Sequence, residues 1–167
     1  MAHVAILIRA ITYASLFVGF MLVFLPMRVL QRAGIGRAPG FGAAQVAGVV
    51  LVAIGAAVAL WCILTFALVG RGTPAPFDPP RRLVMRGPYR FVRNPMYLGA
   101  SLALGGAALF YQSIALLAYT TGFLWVAHLF VRFYEEPTLR RNFGAEYEFY
   151  AGRVRRWWPG FRRSTPQ

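Results

Sequence analysis

The chain is poor in the residues that most enzymes use for polar chemistry. Of its 167 residues only five are acidic (Asp78, Glu135, Glu136, Glu146 and Glu148) and only one is a cysteine. A single cysteine excludes an intramolecular disulfide, and Cys62, set in an apolar run, reads as a small buried hydrophobe. No metal-ligand cluster, nucleotide-binding glycine loop or serine triad is present. Charge as a whole is scarce: 14% of residues are charged and 58% hydrophobic, where ordinary soluble domains carry about a quarter charged residues. That balance reads as a membrane protein.

Lysine is absent as well, so all 18 basic residues are arginine and the formal net charge is +13. Such a charge invites a nucleic-acid reading. A basic groove needs a soluble scaffold, however, and here the arginines flank hydrophobic runs, where they set topology and meet anionic lipids. No nucleic-acid partner is expected.

In chain order, four apolar runs are expected to span a bilayer as helices, at about 4–25, 46–69, 95–111 and 113–131. Arg9 can snorkel to the surface, Pro26 is expected to end the first span, and Met27 to Gly42 reads as a basic turn region. A cleaved signal peptide is disfavoured, since no basic region precedes the first run and no clear cleavage site follows it. Gly48 and Gly55 give the second span small surfaces for close helix packing. Gly70 to Arg93 holds five prolines and six arginines, an extended path that docks on something. The short turn Tyr111-Gln112-Ser113 makes the last two spans an antiparallel hairpin. Its first arm carries Gly99, Ala103 and Gly106 at helical spacing, a bare face that can pack tightly or receive a flat ligand.

Beyond the hairpin, Leu139, Phe143, Tyr147 and Tyr150 recur at helical spacing and predict a C-terminal amphipathic surface helix over Pro137 to Gly152. Trp157 and Trp158 among arginines read as a headgroup-level anchor. The fold class is therefore all-α, a single polytopic domain over 1–167 with about four transmembrane helices. Arginine placement predicts both termini in the cytoplasm, with the arginine-proline loop and Glu135-Glu136 on that same side; the membrane itself is expected to be a bacterial inner membrane.

The polar residues concentrate in Leu83 to Gly99 and in 132–150. Leu83-Val84, Gly87-Pro88-Tyr89-Arg90, Arg93-Asn94-Pro95-Met96-Tyr97-Leu98-Gly99, Glu135-Glu136-Pro137 and Phe143-Gly144-Ala145-Glu146-Tyr147 occur in an order that resembles the isoprenylcysteine carboxyl methyltransferase family and its phospholipid methyltransferase relatives. The resemblance implies an integral-membrane enzyme that uses S-adenosylmethionine and methylates a lipid-like or prenylated substrate dissolved in the membrane. It also implies that the cofactor is held by Leu83, Val84, Tyr89, Asn94, Pro95, Met96, Tyr97 and Gly99 before and within the hairpin, and by Glu135 after it. Asn94 stands where the family's R-H-P-x-Y has histidine, which keeps a hydrogen-bonding side chain and removes a titratable one.

The residues agree on their own chemistry. Glu135 can pair with the cofactor's ammonium, the start of the hairpin helix at Pro95 suits its carboxylate, and Tyr89 and Tyr97 offer aromatic faces for adenine or the sulfonium. The bland alternatives are interfacial anchoring for the tyrosines and solvated salt bridges of Glu135-Glu136 with Arg132 or Arg140. Arg132, a helical turn before Glu135, is placed to hold a carboxylate substrate, which needs no base. An amine or thiol acceptor, as in a phospholipid-amine or thiol methyltransferase, would need one, and Glu136, Tyr97 and His128 are the candidates, with His128 read first as a packed neutral side chain. An NADPH-dependent sterol-reductase-like enzyme and a non-enzymatic membrane scaffold are the rival classes.

Overall fold

The computed structural model describes Thr12, Leu16 and residues 18–70 and 82–160. Most of the first expected span and the proline-rich stretch 71–81 lie outside these residues. Among them the chain is all helical, with no strand.

A π-helical segment, Val18–Phe24, leads directly into α1, Leu25–Arg32. Pro26 therefore does not end the helix, as the sequence led us to expect. It occupies the first turn of α1, where a missing N–H costs least, and the chain turns only after Arg32. Next comes α2, Ala43–Thr65, extended by a π turn at Phe66–Gly70. With 23 residues it is long and apolar enough to cross a bilayer, and only 17% of its most apolar stretch is buried, which is not how the core helix of a soluble domain behaves. Its outward side chains, among them Val46, Val50, Ile54, Leu60 and Leu64, suit lipid rather than water.

Helix α3, Pro95–Phe110, and α4, Ile114–Phe130, form the expected hairpin. Gln112 takes a positive φ of 49° in the turn, and Ser113 caps α4 by accepting from the Leu116 N–H at 3.2 Å. At 16 residues α3 is about 24 Å long, short of the ~30 Å hydrocarbon thickness. Among the described residues two helices, α2 and the long helix that begins at Ile114, meet the length and composition needed to span.

The bare face of α3 meets α2 and not a ligand. A Cβ on Gly48 would sit 2.6 Å from the Gly106 carbonyl, and one on Gly99 2.9 Å from the Gly55 carbonyl. Each helix thus spaces two glycines seven apart, and they pair in reverse order, which makes the crossing antiparallel and brings the backbones together. Buried Gln45 ties the far end of this pair by donating to the Phe110 carbonyl at 3.2 Å. Gly55→Leu is expected to cost about 1–3 kcal/mol of stability, since the Ala103 backbone nitrogen would lie 2.7 Å from the new Cβ. Unfolding of the variant in detergent micelles measures this, and an unchanged midpoint would refute the close packing.

After α4 a π turn, Val131–Glu135, runs on into α5, Glu136–Arg153. The helix expected at Pro137 to Gly152 is contained in α5, which continues from α4 through this turn, and a break at Gly144 (φ 49°, ψ −123°) interrupts its period. Tyr147 and Tyr150 are buried against Leu83 and Val154, with Leu139 and Phe143 packed alongside, so this face covers the loop before α3.

Loop 33–42 and loop 82–94 lie at opposite ends of α2. Cysteines introduced at Gly36 and Arg86 in a Cys62→Ser background are expected to react with an impermeant thiol reagent from opposite faces of intact cells, Arg86 from the cytoplasm. Labelling of both positions from one face would overturn the topology.

Candidate active site

Four segments meet at one end of the bundle: the loop 82–94, the start of α3, the π turn Val131–Glu135 with the first residues of α5, and a strap over residues 154–160. The loop docks through the Gly87–Arg90 turn. Gly87 has φ +60°, and a Cβ there would lie 2.7 Å from Thr65 Oγ1 at the end of α2, so glycine is required by both conformation and space. The strap is laid across the loop by three hydrogen bonds. Arg93 N donates to Arg155 O at 2.9 Å, Asn94 Nδ2 to Arg156 O at 3.1 Å, and Gly160 N to Phe91 O at 3.3 Å.

The two adjacent glutamates have different surroundings. Glu136 is buried, and both its oxygens are engaged: Arg156 Nε reaches Oε1 at 2.7 Å, Arg156 Nη2 reaches Oε2 at 2.8 Å, and Arg93 Nη1 lies 3.1 Å from Oε1, with Arg140 at 3.9 Å. Burial alone would raise this carboxyl, but the Arg156 hydrogen bonds and the charges of Arg93, Arg156 and Arg140 outweigh it and hold Glu136 below the ordinary carboxylate range. Arg93 also donates to the Tyr147 hydroxyl at 3.1 Å, and Tyr150 donates its hydroxyl to the Tyr89 carbonyl at 2.7 Å, so α5 is tied to the loop at several points.

Glu135 is half-buried and receives one hydrogen bond, from the Tyr97 hydroxyl at 3.0 Å. Among the described residues no cation pairs with it, although arginines crowd its neighbour. Burial pushes its carboxyl up to about 7. The Tyr97 hydrogen bond opposes that rise, and the charge of Glu136 adds to it. Tyr97 meets Trp157 edge to face at 6.5 Å, and Trp157 donates its indole N–H to His128 Nδ1 at 3.0 Å. The His128 ring also stacks on Trp125, with centroids 6.1 Å apart.

Of the residues singled out from sequence, Asn94, Pro95, Tyr97, Glu135 and Glu136 come together here. Leu83 lies in the Tyr147 cluster. Val84 and Tyr89 are buried with Cys62, and Met96 packs on the same cluster. Tyr89 is only 7% exposed and sits edge-on to Phe66, so it has no open face for an adenine. Gly99 serves the α2 contact. Arg132 lies on the exposed side of its π turn with its guanidinium 5.6 Å over the Phe133 ring, away from Glu136. Sequence reasoning missed Arg93 and Arg156 as partners of Glu136. It also placed Trp157 at the headgroups, whereas Trp157 turns inward and Trp158 alone is 75% exposed. The signal was the Arg155-Arg156-Trp157-Trp158 run, whose partners lie 20 to 62 residues away.

The donor set around Glu135 fits an aminoacyl-bearing cofactor: a partly shielded carboxylate with one neutral donor and, among the described residues, no counter-charge matches an ammonium, and the N-terminal turn of α3, which carries Tyr97, suits a carboxylate.

The phospholipid methyltransferase family model matches residues 43–146, which takes in α2, the loop, the α3–α4 hairpin and both glutamates, and stops before the strap. No curated protein and no solved structure matches the chain. A match over well over half of the residues, joined to apolar helices that present most of their surface outward, assigns the chain: it belongs to the phospholipid methyltransferase family, membrane-associated methyltransferases of lipid-like substrates.

Proposed function

We propose that the protein is an integral-membrane S-adenosylmethionine-dependent methyltransferase with its cofactor site at Glu135 and Tyr97. The observation that carries this reading is the half-buried Glu135 carboxylate, which has a tyrosine donor and no cation among the described residues. When bound, S-adenosylmethionine supplies a methyl group on a sulfonium centre. Glu135 would hold the ammonium, the N-terminal turn of α3 the carboxylate, and Tyr97 and Trp157 an aromatic wall that excludes water. Asn94 fixes the strap through its amide and has no proton to shuttle. Glu136, with both oxygens committed to arginines, positions the strap and is not the base.

With no free base beside Tyr97 other than Glu135 itself, a carboxylate amphiphile of the prenylcysteine type is the acceptor we favour, since it needs no deprotonation and Arg132 pairs with no carboxylate among the described residues. A phospholipid amine is the second reading: it needs a base, and the raised Glu135 carboxyl is matched to that task only where the cofactor's ammonium is held by another group. The family assignment supports this reading over the reductase and scaffold alternatives. Calorimetric titration of the full chain in detergent is expected to give saturable binding of S-adenosylmethionine and none of NADPH. Binding of NADPH, or of neither, would overturn the cofactor assignment, and the methylated atom of the product decides between carboxylate and amine.

A further inference from the structure

Beside this site the strap forms one wall of a cleft of about 410 Å³, lined by Arg93, Arg155, Arg156, Trp157 and Trp158. Three guanidinium groups border it, and the carboxylate that reaches them is Glu136, so the wall keeps a surplus of positive charge. Arg156 spends its Nε and Nη2 on Glu136. Arg93 gives Nη1 to Glu136 and Tyr147, but its Nε is buried without an acceptor. Arg155 contributes to the fold through its backbone carbonyl. Its exposed side chain has no ion-pair partner among the described residues.

We propose that this cleft binds the phosphate of a lipid head group whose net charge is negative. Guanidinium groups match phosphate oxygens with paired N–H donors, and several of them confine the anion. The same surplus charge repels an ammonium, so head groups that carry an amine beside the phosphate are disfavoured. Exposed Trp158, at the end of the bundle where indoles sit at headgroup depth, would flank the glycerol and the start of the acyl chains. The proposal rests on the membrane placement of the function proposed above and not on its chemistry. Its lipid is a ligand of the strap, apart from the Tyr97–Glu135 pair.

The test uses the full chain in detergent micelles and short-chain phosphatidylglycerol, short-chain phosphatidylcholine and glycerol 3-phosphate as probes. Phosphatidylglycerol is expected to bind saturably, roughly tenfold more tightly than phosphatidylcholine, and to weaken steeply with salt. Arg155→Gln should lower its affinity about fivefold to tenfold without moving the melting temperature, and Arg155→Lys should lose part of that, keeping the charge but not the fork. Equal binding of the two lipids, or an Arg155→Gln variant that binds like the parent, sinks the proposal. Glycerol 3-phosphate binding as tightly as the lipid would make the cleft a soluble phosphate-ester site, and displacement of phosphatidylglycerol by S-adenosylmethionine would give it to the cofactor's carboxylate. Either result also overturns the lipid assignment. S-adenosylmethionine titrated alone into the same preparation reads the methyltransferase assignment separately, so the two ideas fail independently.

Discussion

Glu136→Gln is expected to destabilise the protein by about 3–5 kcal/mol, the scale of a buried ion pair broken from one side. The substitution leaves Arg93 and Arg156 side by side with no counter-charge, and Arg93 has only 10% of its side chain exposed to recover hydration. Because the folded-state carboxyl is held below its ordinary value, Glu136's contribution is fully present above the ordinary carboxylate range and is lost as pH falls through the depressed value. At neutral pH the whole effect should therefore appear. Unfolding in detergent, followed by far-ultraviolet circular dichroism, measures it. A variant that is as stable as the parent but inactive would restore Glu136 to the list of catalytic groups.

The second large effect is a pH dependence of cofactor binding. With the Glu135 carboxyl raised to about 7, the group is largely protonated below neutrality and cannot pair with an ammonium until it ionises. Affinity should thus fall about tenfold per pH unit below 7 and level off above it, roughly 25-fold between pH 7.5 and 5.5. The stability of the cofactor-free protein should run the other way. Between the ordinary carboxyl value and 7 the folded state binds more protons than the unfolded one, so stability declines as pH rises and levels off above 7. Glu135→Gln is expected to flatten the binding profile and to weaken binding at pH 8 by about 1.5–3 kcal/mol, the scale of a charge-assisted hydrogen bond. Binding in the parent that is independent of pH from 5.5 to 8 would remove Glu135 from the ammonium.

What could be read from the sequence is what local rules govern. The Tyr111-Gln112-Ser113 turn is set by its own dihedrals and by a cap three residues on, and the glycine faces of α2 and α3 follow from helical spacing. Pro26 misled because a proline at the first turn of a helix and one that ends a span look alike in sequence. Which of two neighbouring glutamates meets arginines and which stays alone is decided by Arg93, 43 residues before Glu136, and by Arg156, 20 after, and no periodicity reports that. The same holds for Trp157, whose inward turn depends on His128 and Tyr97 in two other helices. The pattern of small and apolar residues thus carries the packing, and the polar site depends on contacts made across the bundle.

The strap bears on how the molecule assembles. Its bonds to Phe91, Arg93 and Asn94 bridge more than sixty residues, so the loop before α3 and the start of α5 have to wait, as the chain grows, for residues 154–160. At a synthesis rate of about 5–20 residues per second the interval from Arg93 to Arg156 is several seconds, during which the arginine and later Glu136 stand without their final partners at the membrane surface. Helix insertion and the α2–α3 contact can be complete before then, and the polar end of the bundle closes last. Ribosome-bound chains halted shortly before the strap should accordingly be inserted, protease-resistant in their apolar helices, and unable to retain S-adenosylmethionine.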